Sequence, residues 1–443
     1  MNTLLPLLLF YVAALALLSL RTGRETQSSS SFLTGSAKAG TLLCALSLVS
    51  TIIGGSATIG MGSLAHKTGA AAFWWLGVGA IGLVAHALFI APKIRAMKAV
   101  TLPEVLGELV GARAERWAGI IIAVAWVGVA AAQFSALRML LESLAPGAAS
   151  TAAYAAVSVA VVLHTVLGGQ RGVLRTDAMQ ALLLLGGFSA ALVWAIVWGG
   201  GDEALARVDL VPFNERFTGW DWLKMMALVG ITYVVGPDMF SRTFSAKDGS
   251  TARRAALAAS PLLAAAACAV TLLALINLDA ASPVSDWLSA ESPMPTAIKA
   301  ALAIGLVSAL CGSADTILLS ASGIAARDLL RSPSRGAIRA FALIFGLGAA
   351  AAAFTKGDVI GCLLYAYAFY VPGVAVPLLV VLWGRSGPVS ERLWLAGAVS
   401  GGVLGLASQA TGIETLTFLG CASSAVLAAA ARGRAALPAA LER

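Results

Sequence analysis

The chain has 443 residues, of which 59% are hydrophobic and only 12% charged, with a mean hydropathy of +0.87. A soluble protein carries roughly 25% charged residues, so this chain lacks the charge to cover a water-facing surface and reads as an integral membrane protein. At about 20 residues per helical crossing, its apolar runs leave no room for a separate soluble catalytic domain.

Hydropathy with charge punctuation predicts an all-α polytopic chain of thirteen transmembrane helices. They fall at 3–20, 40–62, 70–90, 117–144, 150–167, 174–199, 222–241, 253–276, 297–326, 337–354, 358–383, 392–410 and 414–431. The first run, LLPLLLFYVAALALLSL, has no basic stretch before it and no small-x-small pattern after it, and reads as a retained span. Cys44, Cys268, Cys311, Cys362 and Cys421 lie far apart in apolar runs with no CxxC spacing. They read as small buried thiols, forming neither disulfides nor a zinc site.

Sorting the basic residues between alternate sides places 23 of the 30 on one side, leaving Lys67, Arg138, Arg207, Arg216, Lys224, Lys299 and Lys356 on the other. The positive-inside rule then puts the N-terminus outside and the C-terminus in the cytoplasm, which an odd number of spans requires. Topology thus accounts for the net charge of +8, and nucleic-acid binding is not needed. Trp74, Trp75, Trp194, Trp198, Trp220 and Trp222 fall at outer span ends, as an interfacial belt does.

Two spans carry breaks. The second contains IIGGSATIGMG, with Gly54 and Gly55 adjacent, and the seventh contains YVVGPDMFSR, where Gly236-Pro237 interrupts the helix. Backbone freed at bilayer depth is tolerated only where protein or a water-filled cavity satisfies it. The breaks are five spans apart, and interrupted helices in corresponding positions of two halves point to a transporter with its site at the repeat interface. Spans 2–6 and 7–11 start on opposite sides, so the repeats would be inverted. Gly60 and Gly62 are read as packing glycines.

An ionisable residue inside a span is a functional candidate. Asp315 sits in SALCGSADTILLSAS, where Ser308, Gly312, Asp315 and Ser322 share one face and Ser313, Thr316 and Ser320 the next. Hard cations select carboxylate, hydroxyl and carbonyl oxygens, which this helix and an unwound second span would supply. Asp177 opens the sixth span as a helix cap or as half of a surface pair with Arg175. Asp238 and Arg242 are four apart and can pair on one face, an arrangement that suits anchoring a helix end or a gate rather than binding solute. Arg138, with Glu142 at i+4, is either a snorkelling ion pair or a clamp for a solute carboxylate. His66, His86 and His164 have no metal-like spacing and are assigned no role.

The segments TIIGGSATIGMG (51–62), TLPEVLGE (101–108), GGQRGVLRTDAMQ (168–180), GPDMFSRTFSAKD (236–248), SALCGSADTILLSASGIAARD (308–328) and PGVAVPLL (372–379) together resemble the sodium:solute symporters. That resemblance implies a LeuT-like five-plus-five inverted repeat. An extra helix would occupy 1–39, a first repeat 40–241 running into the seventh span, a second repeat 222–383, and two further helices with a short tail 384–443. It implies a sodium site from the carbonyls of Val49, Ile52 and Ala309 with the side chain of Ser313, and Gly312 stands where the family usually has a second hydroxyl. A further cation site is implied at Asp177, Asp315 and Thr316, and two acids near one cavity would also suit proton coupling.

The solute pocket is expected around Gly54, Gly55 and Gly236, with Ser56, Thr58, Gln133, Tyr233, Tyr365 and Tyr367 offering polar contacts. QFSALRMLLE around Arg138 resembles the pantothenate-type members and favours a carboxylate-bearing solute. The expected activity is Na+-coupled symport by alternating access. Proton coupling is one alternative and a non-transporting sensor another. The expected partners are a small solute and the lipid bilayer of the cell membrane, with no enzyme activity, nucleic acid or obligate protein partner.

Overall fold

The computed structural model describes residues 4–22, 28–97, 99–145, 147–280, 284–289, 291–332, 334–354, 358–384 and 387–434, which are helical almost throughout. In chain order the helices are α1 (Leu4–Thr22), α2 (Ser29–Thr34), α3 (Thr41–Ile52), α4 (Met61–Thr68), α5 (Trp74–Ala85), α6 (Ala91–Ala96), α7 (Leu102–Leu109), α8 (Ala112–Leu144), α9 (Ala148–Val197) and α10 (Gly201–Ala206). They continue as α11 (Gly219–Met225), α12 (Ile231–Val235), α13 (Pro237–Ser245), α14 (Gly249–Ile276), α15 (Thr296–Ile324), α16 (Arg335–Ala352), α17 (Val359–Tyr370), α18 (Val376–Trp383), α19 (Glu391–Thr411) and α20 (Thr415–Arg434).

Ten helical stretches among the described residues are long and apolar enough to cross a membrane, joined by the shorter apolar helices Leu4–Leu15 and Thr41–Ile52. The expected fifth and sixth spans are the two stretches of α9, which meet at Gly169, where the backbone leaves the helical region. Gly169 has φ +58, and the Phe32 ring lies where a Cβ would stand, so both the backbone turn and the close ring require glycine there.

The core is built on α15, whose stretch to Leu329 is 94% buried over its most apolar window. Lipid chains are as apolar as leucine, so association here relies on close packing rather than on escape from water. Accordingly Gly187 of α9 faces the Ala301 backbone and Gly305 of α15 faces that of Leu184, with no side chain between the helices. The TLPE segment caps α7: Thr101 Oγ1 accepts from Glu104 N at 3.2 Å and donates to Asp328 Oδ1 at 3.2 Å. Glu104 pairs with Arg327 at 2.6 Å, fastening α7 to the end of the α15 stretch. Ala39 and Ala246 form a short bridge, with Arg95 Nε donating to Ala246 O at 2.6 Å. Of the cysteines, Cys44 and Cys311 are buried as expected, whereas Cys268 is exposed on α14 because it lies on that helix's outer face.

Candidate cation and solute sites at two helix breaks

α3 ends at Ile52, and Ile53 (φ −83, ψ 88) leaves the helical region. Gly55 N, freed by the break, donates to Gln133 Oε1 at 2.7 Å, and Thr58 Oγ1 donates to Gly54 O at 2.9 Å. A Cβ on Gly54 would fall onto Gln133 Oε1 and the Ser313 side chain, and one on Gly55 onto Ala136 Cβ. The glycines are therefore required by approach. The chain resumes through a π-helical turn, Ser56–Gly60, into α4.

The second break falls between α12 and α13. Gly236 is extended (φ −71, ψ 147), and Pro237 opens α13, where its missing N–H costs nothing. The carbonyls released by the break find protein donors. Val234 O meets His86 Nδ1 at 2.7 Å and Val235 O accepts from Tyr370 OH at 2.5 Å, while His86 Nε2 lies 2.9 Å from Thr243 Oγ1. Asp238, in the first turn of α13, accepts from Trp126 Nε1 at 3.0 Å on both oxygens. The expected Asp238–Arg242 pair does not form, because these two side chains take partners on different helices.

Between the breaks lies a cavity of about 40 Å³ lined by Thr51, Ile52, Ser56, Val129, Gln133, Tyr233, Asp238, Met239, Ser313, Ile317, Leu363 and Tyr367. A separate pocket of about 340 Å³ is bounded by Trp75, Arg216, Lys224, Ile360, Leu364 and Glu414 among others. Of the residues expected around the solute, Ser56, Gln133, Tyr233 and Tyr367 come together in the small cavity. Thr58 turns back to its own backbone. Tyr365 is 43% exposed and donates to Gln409 O at 3.2 Å, and Arg138 lies over the Phe354 ring at 5.7 Å. Neither Tyr365 nor Arg138 lines the cavity.

Ser313 Oγ donates to Thr51 O at 2.7 Å and approaches Ser50 O at 3.4 Å, so α15 meets α3 where α3 unwinds. Of the carbonyls expected to join it, Val49 O accepts from Ile53 N at 3.0 Å and Ile52 O from Gly54 N at 3.1 Å. Ala309 is fully buried on α15. The hydroxyl thus lies between the two expected positions on α3.

Asp177, Asp315 and Thr316 are all buried, but they divide between two clusters. Asp177 is no helix cap, since it lies in the middle of α9. Its Oδ2 pairs with Arg242 Nη2 at 2.6 Å and accepts from Ser47 Oγ at 2.5 Å. Arg242 also donates to Ser47 Oγ at 3.0 Å and to Thr316 Oγ1, which lies 3.1 Å from Thr51 Oγ1. Asp315 accepts from Thr165 Oγ1 at 2.7 Å, and its other oxygen lies 3.1 Å from His164 Nε2. His164 Nδ1 faces Leu15 O at 3.1 Å. His164 Nε2 also lies 3.3 Å from Thr176 Oγ1, so the imidazole joins α1, both stretches of α9 and α15. Tyr11 OH, 2.7 Å from Ser308 Oγ, fixes α1 on the same face of α15.

Sequence reasoning passed over His86, His164 and Trp126. The two buried histidines were visible as ionisable groups inside predicted spans. Searching for metal-ligand spacing hid them, because one satisfies freed backbone and the other pairs with an acid.

Two interrupted helices around a polar cavity, with a hydroxyl laid against one break, define a membrane carrier of LeuT-like fold rather than an enzyme. Residues 32–337 match the sodium:solute symporter family, and the chain belongs to it. Sodium is the family's coupling ion and a small molecule its cargo. The chain is 23% identical to the high affinity choline transporter 1 of Mus musculus and to that of Homo sapiens, covering 90% of this chain and 73% of each relative. It is 27% identical to the sodium/pantothenate symporter of Escherichia coli (strain K12) over 45% of this chain and 43% of that one. Among solved structures, a Na+-coupled sialic acid symporter in a substrate-bound outward-open state superposes with a TM-score of 0.82 at 15% identity, covering 98% of each chain. MhsT in complex with L-phenylalanine superposes at 0.61 with 14% identity, covering 89% of this chain and 99% of that one.

Proposed function

We propose that the chain is a sodium-driven symporter that carries a small organic solute inward by alternating access. It crosses the membrane thirteen times, with the N-terminus outside and the C-terminus in the cytoplasm. This count takes α1 as a crossing, separates α3–α4 from α5–α6, and divides α9 at Gly169. Spans 2–6 and 7–11 are inverted repeats over 40–241 and 222–383, flanked by the extra helix of 1–39 and the two of 384–443.

The observation that carries this reading is Ser313 laid across the first break beside the cavity. A hydroxyl and unwound carbonyls are the oxygens a hard cation takes. Sodium bound by Ser313, the α3 carbonyls at 49–52 and the Ala309 carbonyl would hold α15 against α3 and close the solute cavity. The membrane potential adds about 2.3 kcal/mol per charge per 100 mV to inward movement.

The lining favours a solute with a small cationic head group. Asp238 faces the cavity beside Tyr233 and Tyr367, and among the described residues no cation lies within ion-pair distance of it. A carboxylate flanked by aromatic faces suits an ammonium centre, which choline, cargo of the relatives spanning 90% of this chain, also carries. The carboxylate-bearing solute expected from the pantothenate-type resemblance loses its residue, since Arg138 lies outside the lining.

Uptake into proteoliposomes under an imposed sodium gradient tests the reading. Accumulation should require inward sodium and fall about tenfold or more in Ser313→Ala. Asp238→Asn should abolish uptake of a choline probe and leave sodium binding intact. Accumulation driven by a proton gradient alone would replace sodium with protons, and binding without accumulation would make the chain a sensor.

A further inference from the structure

Gln170 has no exposed surface, and neither end of its carboxamide has a hydrogen-bond partner. It follows Gly169, where the backbone of α9 leaves the helical region. Its side chain lines a cavity of about 30 Å³ together with Pro237 and Ser241 of α13, Ser320 and Gly323 of α15, and Thr101 at the start of α7. A buried carboxamide without partners is uncommon in a folded interior and calls for an explanation. Leaving it unpaired is destabilising, and a leucine would avoid that penalty, so stability does not account for a glutamine here.

The solute cavity is bounded by Asp238 and Met239 on α13 and by Ser313 and Ile317 on α15. The second cavity lies further along the same two helices, reaching Ser241 and Phe244 on the one and Ser320 and Ile324 on the other. Ser320 stands beside the Asp238 carboxylate, so this pair lies between the two spaces. Leu33 of α2 also lines the second cavity, packed where a Cβ on Gly323 would stand. In the topology proposed above, α2, α7 and the turn at Gly169 are all on the cytoplasmic side.

We infer that the second cavity is a subsite for the outgoing solute, in which Gln170 takes the solute's polar end after it leaves Asp238 and before it reaches the cytoplasm. The inference rests on the transport reading above and names one step of it. A carboxamide offers N–H donors and a carbonyl acceptor, so it receives a hydroxyl as readily as an ammonium N–H. At about 30 Å³ the closed cavity has room for about one or two waters. These satisfy Gln170 until α13 and α15 part, and the solute then replaces them. Because Gln170 does not line the solute cavity, it governs the rate of delivery and not the affinity of the closed state.

Two measurements on the full chain test this. In the first, Ser320→Cys is introduced after the five native cysteines are replaced by alanine. Inverted membrane vesicles are then treated with 2-(trimethylammonium)ethyl methanethiosulfonate, a cationic thiol reagent that does not cross the bilayer. Labelling should be faster without sodium than with it, and adding Gln170→Leu should slow the sodium-free rate about tenfold. In the second, sodium-dependent choline binding is compared with choline uptake. Gln170→Leu should bind within about twofold of the parent and take up about tenfold less, and Gln170→Asn, which keeps the carboxamide, should recover part of the uptake. Gln170→Leu should melt no lower than the parent, since it removes an unpartnered amide. The labelling of the Gln170 parent covers the case in which that variant does not fold.

No labelling of the parent would overturn the inference, and so would labelling that ignores sodium or Gln170→Leu. Uptake by Gln170→Leu at the parent rate, or binding that falls as far as uptake does, would overturn it as well. The expected labelling in a chain that takes up no choline would leave it standing and overturn the choline-like solute proposed above.

Discussion

The two interrupted helices meet the same difficulty by opposite means. At the first break the group left over is an N–H, that of Gly55, and a neighbouring helix supplies an acceptor in Gln133. At the second the groups left over are carbonyls, those of Val234 and Val235, and His86 and Tyr370 face them as donors. The contrast separates what each break offers to the cavity between them. The first lays the Thr51 carbonyl against the Ser313 hydroxyl, the contact on which the proposed sodium site rests. The second has its oxygens engaged by protein, so its contribution to the cavity is a side chain, Asp238.

The largest expected effect is on what ties the two breaks together. Arg242→Ala leaves Asp177 as an uncompensated buried charge, and breaking a buried pair in this way costs about 3–5 kcal/mol. The variant should show a marked fall in thermal stability in detergent, and an unchanged melting transition would mean that the second half-helix is anchored some other way. Next comes Gly54→Ala, whose added methyl collides with Gln133 and Ser313. It should lose about 1–3 kcal/mol and nearly all sodium-driven uptake. Gly60→Ala, whose nearest neighbour would be the flexible Ile360 side chain with the Gly55 carbonyl at ordinary contact distance, should retain uptake, and equal damage at both glycines would erase the distinction between function and packing at this break.

Tyr370→Phe tests the other side of the contrast. It removes the donor to a buried carbonyl for about 1–3 kcal/mol, and it should lower stability while leaving the half-saturating sodium concentration where it was. A sodium shift as large as that of Ser313→Ala would show that the second break also serves the ion. The smallest effect is expected for Tyr365→Phe, outside the cavity and partly exposed, which should stay within about 0.5 kcal/mol of the parent and transport at the same rate.

The breaks were legible because Gly-Gly and Gly-Pro in mid-membrane violate helix chemistry locally, and Ser313 was legible because its place in the motif is local too. The choice of ionic partners was not. Spacing puts Arg242 one turn from Asp238, yet the guanidinium reaches Asp177 on α9 and Asp238 turns to Trp126 on α8. Nothing within α13 encodes that preference, which arises from tertiary packing. The turn at Gly169 was legible too, since hydropathy with charge punctuation separates spans at 150–167 and 174–199 and the backbone leaves the helical region between them.

The disparity between the pocket of about 340 Å³ and the separately lined cavity of about 40 Å³ carries a practical consequence for screening. A compound too bulky for the cavity can still lodge in the larger pocket, so binding assays will score it alongside anything that is carried. Only counting molecules delivered to the far side of the bilayer separates them.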